Sequence, residues 1–89
     1  MIQIHNKSTY QRIYNDYSTV FIDAYCGYKC NGNSTEESLA AAKISVQKIV
    51  SGDLLKDRPN RKMIIKAYDN IRNDAKLIQK AIQYYQSMK

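Results

Sequence analysis

Apolar positions recur at helical intervals in three parts of this chain. In the last third, Ile64, Tyr68, Ile71, Ala75, Ile78, Ile82 and Tyr85 follow one another at steps of 4, 3, 4, 3, 4 and 3. A seam sustained over about six turns predicts one long amphipathic helix. Pro59 suits its first turn, where the missing N–H costs nothing, with Asp57 or Arg58 just outside. The helix is therefore expected over residues 59–87.

The segment before it, STEESLAAAKISVQKIVSGD, begins with a capping box. Ser34 and Glu37 stand three apart, so that hydroxyl and carboxylate each satisfy an exposed N–H. The acidic pair Glu36–Glu37 also complements the positive end of the helix dipole. Leu39, Ala42, Val46 and Ile49 keep the 3-4-3 spacing, and Gly52 marks a C-terminal stop. Ala40, Ala41 and Ala42 leave room for a neighbouring helix. The short connection from Ser51 to Arg58 predicts that the two helices fold back as an antiparallel hairpin.

The opening stretch reads two ways. Tyr10, Tyr14, Tyr17, Phe21, Ala24 and Tyr28 step by 4, 3, 4, 3 and 4, which is a helical seam. Ser8 with Gln11 forms a second capping-box pattern, and Gly27 a second stop. Thr19-Val20-Phe21-Ile22 is β-favouring, however, and Val20, Ile22, Ala24 and Cys26 alternate. Helix is the preferred reading, with residues 18–25 open to strand. The polar run at 30–34 is then a loop. The expected architecture is all-α: a short N-terminal helix followed by an antiparallel hairpin of two long helices, in a single domain over residues 1–89. The seam of the last helix outruns its hairpin partner by several turns. The N-terminal element or a second subunit must cover it, which makes a homo-oligomer the expectation.

Composition narrows the class. With 44% hydrophobic and 25% charged residues in 89, the chain is globular with one modest core. It has no apolar run of about 18 residues, hence no expected membrane span. MIQIHNKSTY lacks the pattern of a secretory signal. Two cysteines, Cys26 and Cys30, are too few for a disulfide scaffold and suggest a reducing, cytoplasmic setting. The net charge of +6 is unevenly placed. Residues 1–54 carry five basic against five acidic side chains, whereas residues 55–89 carry nine against three. The imbalance points to a partner that is anionic somewhere.

Metal and catalytic chemistry are poorly supplied. Cys26 and Cys30 share a helix face, but structural zinc wants four ligands and the one histidine, His5, is far along the chain. His5 has no evident catalytic partner, and there is no phosphate loop, zinc-protease signature or paired-carboxylate motif. The expectation is a protein that is not an enzyme and has no cofactor. Lys62, Lys66, Lys76 and Lys80, with Arg61 and Arg72, lie off the seam, either as a solvated face or as a phosphate-binding one. No recognised nucleic-acid reading motif accompanies them.

The most informative juxtaposition is aromatic and anion-seeking. The tyrosines of the opening seam are packing residues that also carry stacking area and a polar tip. Soon after them come Lys29, Ser34 and Thr35 at a helix start, where free N–H groups, hydroxyls and an ammonium make an anion site. A nucleotide-like ligand wants that combination. The layout resembles the phage anti-CBASS sponges, small proteins that sequester cyclic oligonucleotide signals. The size, a short first helix and a following hairpin of two long helices carry the resemblance. It implies compact homohexamers that hold cyclic dinucleotides between protomers, with Tyr10 or Tyr14 on the base, Lys29 at the phosphates, and Ser34 or Thr35 as the hydroxyl. Two alternatives remain at this level. One is a protein-binding inhibitor or adaptor that sets its basic helix against an acidic partner; the other is a non-specific nucleic-acid binder.

Overall fold

The longest element is the one the sequence reads least clearly. In a computed structural model that describes residues 2–88, with side chains from residue 9, helix α1 runs unbroken over Ile2–Cys30. It is followed by α2 (Thr35–Lys56), a single 3₁₀ turn at Arg58–Asn60, α3 (Arg61–Arg72) and α4 (Ala75–Ser87). No strand occurs among the described residues. At 1.5 Å per residue, α1 is about 43 Å long. That matches the 44 Å long axis of the molecule.

Burial explains why the β-favouring residues of α1 are helical. Ile13, Tyr17, Phe21 and Tyr25 are buried at steps of four, with Cys26 beside them, while Thr19 and Asp23 are exposed. Only a helix puts those four side chains on one face, and their burial outweighs the weak local preference. Each step of four turns the row about 40° around the axis. The stripe therefore precesses along α1, which lets the one helix pack against α2, α3 and α4. Tyr28, expected on the seam, is 45% exposed because the drifting stripe has left its face.

The partners answer with small residues. Ser38, Ala42, Val46 and Val50 form the buried row of α2, again at steps of four; Ala67 on α3 and Ala81 on α4 are also buried. Large rings on α1, with small residues on the other helices of the same core, keep the interior filled while the helices stay close. Ile49, expected on the α2 seam, is exposed instead. Residues 43–47 of α2 lie beside residues 68–72 of α3, and Asp53 and Asp57 share a recess with Ile64. The pair therefore runs antiparallel.

Element ends depart from expectation in three places. α1 begins at Ile2, so Ser8 stands inside the helix; its side chain and that of His5 lie outside the described residues. α1 ends not at Gly27 but at Cys30, and the turn beyond it holds Gly32, whose φ of +92° is left-handed. There Asn33 N–H donates to Tyr28 O at 3.1 Å and Gly32 N–H to Lys29 O at 3.0 Å, the two bonds of a Schellman motif. α2 passes through Gly52 and stops at Lys56, because Asp53 and Leu54 still have partners in the core. Its start is as expected: Ser34 and Glu37 form a reciprocal capping box.

The last helix is two. The chain breaks at Asn73–Asp74, where Asp74 is extended and its Oδ1 accepts from Lys76 N–H at 2.9 Å and Leu77 N–H at 3.3 Å. Asn and Asp compete for backbone N–H groups and favour caps over helix interiors. The break re-phases the seam, so that Ala75 is exposed and Leu77 and Ala81 are buried. Pro59 lies in the 3₁₀ turn, one step before α3. The stripe that outruns the hairpin is covered within the chain by α1: Tyr25 meets Tyr85 edge-on at 6.3 Å between centroids. Ile78, Ile82 and Tyr85 are partly buried there.

The three glycines test these boundaries. Gly27→Ala and Gly52→Ala place a methyl in open space on a helix and should each stabilise by about 0.5–1 kcal/mol. Gly32→Ala forces a left-handed residue to carry a Cβ and should destabilise by about 1 kcal/mol. Urea unfolding of the three variants measures the contrast; equal effects would contradict the helix ends described here.

Candidate functional site

Tyr10 and Tyr14 stand one turn apart on α1, with ring centroids 6.2 Å apart. Both reach across to the region of the α3–α4 break. Tyr10 Oη accepts from Asn70 Nδ2, and Lys66 Nζ sits 5.6 Å above its ring. Tyr14 Oη donates to Asp74 Oδ2 at 2.5 Å. Asp74 thus receives Tyr14 on one oxygen and the first turn of α4 on the other.

Next to this bond lies a groove of about 460 Å³ between α1 and α4. Tyr14, Asn15, Ser18, Thr19 and Ile22 form its α1 wall, one face of that helix. Asp74, Lys76, Leu77 and Lys80 form the other wall. Ser18 Oγ donates to Tyr14 O at 2.8 Å. No carboxylate among the described residues lies within ion-pair distance of Lys76 or Lys80; the salt bridge present is Arg12–Asp16. The opening therefore combines a phenol, an amide, two hydroxyls, one carboxylate and two ammonium groups.

Electrostatics follow the same bond. The hydrogen bond to Asp74, then burial and the nearby carboxylate charge, push the Tyr14 phenol up to about 12. The same bond holds the Asp74 carboxyl below its usual range, helped by the backbone N–H groups of Leu77 and Lys76. One turn along α1, Tyr17 Oη donates to Asp53 Oδ2 at 2.7 Å, and burial first, then that bond, raise its phenol further still.

The residues anticipated as a binding set fall into separate places within the chain. Tyr10 and Tyr14 are together, but Lys29 is fifteen residues beyond Tyr14 on a continuous helix, about 22 Å away. Its Nζ lies 5.6 Å over the Tyr85 ring. Ser34 and Thr35 are together at the start of α2, where the anion site already holds an anion. Glu37 Oε1 accepts from Ser34 N–H at 2.9 Å, while Ser34 Oγ accepts from Glu37 N–H at 3.1 Å. Those bonds hold the Glu37 acid below its usual range. Cys26 is buried and Cys30 exposed, both as free thiols. Burial pushes the Cys26 thiol up. No cluster of three or more potential metal-ligating side chains occurs among the described residues.

Asp74, Asn15, Ser18 and Thr19 are groove residues that sequence reasoning did not single out, whereas Lys76 and Lys80 were read only as part of a basic face, solvated or phosphate-binding. The signal was present: Asn73-Asp74 is a cap pattern, and Lys76 and Lys80 stand one turn apart just after it. No protein-family model, no curated protein and no solved structure matches this chain. Nor is any helix among the described residues long and apolar enough to cross a membrane.

The Tyr14–Asp74 bond sets an alkaline limit. A phenol raised in the folded state contributes stability that is present below its ordinary value near 10 and is lost as pH rises through about 12. The melting temperature should therefore fall across pH 10–12. Tyr14→Phe should be less stable at pH 7 by about 1–3 kcal/mol, since it leaves a carboxylate without its donor, and flatter across the alkaline window. Thermal melts at stepped pH, with phenolate absorbance recorded alongside, measure both; an unchanged alkaline slope in the variant would contradict the assignment.

Proposed function

We propose that the protein is a binding protein that sequesters a small anionic ligand, of cyclic dinucleotide type, without turning it over. The observation that carries the reading is the α1–α4 groove. It sets Lys76 and Lys80 opposite the polar face of Tyr14, Asn15, Ser18 and Thr19 in a space of ligand size. Phosphate charge goes to the two ammonium groups, and amide and hydroxyl groups serve the polar edges of sugar and base. The aromatic role expected of Tyr14 stays with it. The cationic role moves from Lys29 to Lys76 and Lys80, and the hydroxyl role from Ser34 and Thr35 to Ser18 and Thr19.

Three features support this placement over the start of α2. Neither lysine makes a salt bridge among the described residues, although the Lys76 charge helps to lower the Asp74 carboxyl. The Asp74 charge between them and α1 is held by three donors, which lessens its repulsion of an anion. By contrast, Glu36 and Glu37 make the start of α2 repel one. The resemblance to sponge proteins adds assembly of copies to the proposal, so the subunit number of the loaded protein is part of its test.

Calorimetry with 3′,5′-linked cyclic dinucleotides should give saturable binding that weakens with salt. Lys76→Glu with Lys80→Glu should weaken it at least tenfold, whereas Lys29→Glu leaves it within twofold. Ligand released by heat denaturation should come back intact. Absence of binding to every cyclic dinucleotide, or binding indifferent to the Lys76 and Lys80 changes, would overturn the proposal. Equal retention of any duplex DNA, lost steeply with salt, would move the reading to non-specific nucleic-acid binding.

A further inference from the structure

A second opening lies across the bundle, between α2 and α3, and its chemistry is different. It encloses about 290 Å³. Its floor is the core itself, Phe21 and Ile71, and its walls are Ile44 from α2 and Tyr68 from α3. Ile44 is 52% exposed, an isoleucine at the edge of an apolar recess. The rim carries Lys43 from α2 and Arg72 from α3, and no carboxylate lines it.

The opening ends beside the break at Asn73–Asp74. α3 packs against α2, but beyond Arg72 the chain turns and α4 packs along α1 instead. The side of α2 past Lys43 is left without the helix that a straight continuation of α3 would have laid there. Arg72 is not a loosely solvated side chain either: its Cζ lies 5.6 Å over the Tyr68 ring. Stacking of that kind orders the guanidinium and leaves its fork for a carboxylate.

We propose that this slot docks an acidic amphipathic helix from another protein. Apolar anchors would insert between Ile44 and Tyr68, and flanking carboxylates would meet Lys43 and Arg72. Ile65, 41% exposed and one turn back from Tyr68 on α3, extends the apolar track by the length a second anchor needs. Charge complementarity selects the occupant. The rim is cationic on both helices, and a second copy of this chain would bring another net charge of +6 to it. The inference is independent of the ligand groove, which lies on the other side of the break.

The test is selection from a display library of 15-residue helices with apolar residues fixed three or four apart and all other positions random. Binders to the full chain should be enriched in Asp and Glu beside Leu or Phe anchors. Lys43→Glu with Arg72→Glu should weaken the selected peptides at least tenfold by fluorescence anisotropy, and Ile44→Ser about as much. Both charged positions are exposed, so an unchanged thermal melt confirms the fold. The double variant should keep its binding of cyclic dinucleotides, if the ligand groove has it. Failure to enrich any binder, enrichment of basic or neutral helices, or peptides indifferent to these variants would each overturn the proposal. So would sedimentation showing a dimer of the chain that Ile44→Ser dissociates.

Discussion

Asp74 accepts three hydrogen bonds, and the course of the last third of the chain depends on them. Two come from Lys76 and Leu77 N–H and fix where α4 starts; the third comes from the Tyr14 phenol and fixes where that start lies on α1. A carboxylate satisfied this fully is stable in its ionised form in a half-buried place, which an unpaired one would not be. Three residues further along α1, Tyr17 makes the equivalent bond to Asp53 near the end of α2. The two phenols leave α1 toward different partners. Together they fix its rotation about its own axis, which apolar packing alone specifies only loosely.

Packing then follows from size. α1 supplies Tyr17, Phe21 and Tyr25 to the interior, and the other helices set small Ser38, Ala42, Ala67 and Ala81 among Val46, Val50, Ile64, Ile71 and Leu77. Each aromatic side chain buries on the order of 150–250 Å², so three of them make much of a core this small. The cost of the arrangement falls on Ser38, whose buried Oγ has no hydrogen-bond partner. Alanine there would keep the close approach without the unsatisfied hydroxyl. The serine is thus tolerated for its volume and not for its polarity.

Much of this was legible in the sequence where a local rule decides the outcome. The Ser34–Glu37 capping box is an interaction between near neighbours, and it forms as read. The helical seam of α1 was visible through its β-favouring residues because burial at steps of three and four is a stronger signal than propensity. What escaped was decided at longer range. Gly27 and Gly52 look like stops, yet each helix continues because residues beyond them have partners elsewhere in the chain, Lys29 over the Tyr85 ring and Asp53 at Tyr17 being within the next turn. The heptad seam of the last third hid its own break: Ala75 fits an apolar seam or an exposed surface equally well, so it preserved a spacing that the structure does not use. The anticipated binding set is spread out within one chain. The reading joined Tyr14 to Lys29 through the resemblance, which sets the ligand between protomers; within one chain the helix keeps them about 22 Å apart.

The break also gives a meaning to the charge asymmetry. In one straight helix, the cations of residues 55–89 would line a single solvated face. With the chain turned at Asn73–Asp74, Arg72 belongs to the α2–α3 opening and Lys76 and Lys80 to the α1–α4 groove. Lys76 and Lys80 stand one turn apart, about 6 Å along the helix. That is inside the Debye length of about 8 Å at physiological salt, so they act on an anion as a pair. Arg72 instead sits on an aromatic ring above an apolar floor, where a carboxylate arriving with its own hydrophobic neighbour gains more than a free phosphate does. A single excess of positive charge thus becomes two surfaces that differ in chemistry: one polar and suited to a small anion, the other apolar with a charged rim and suited to an amphipathic chain.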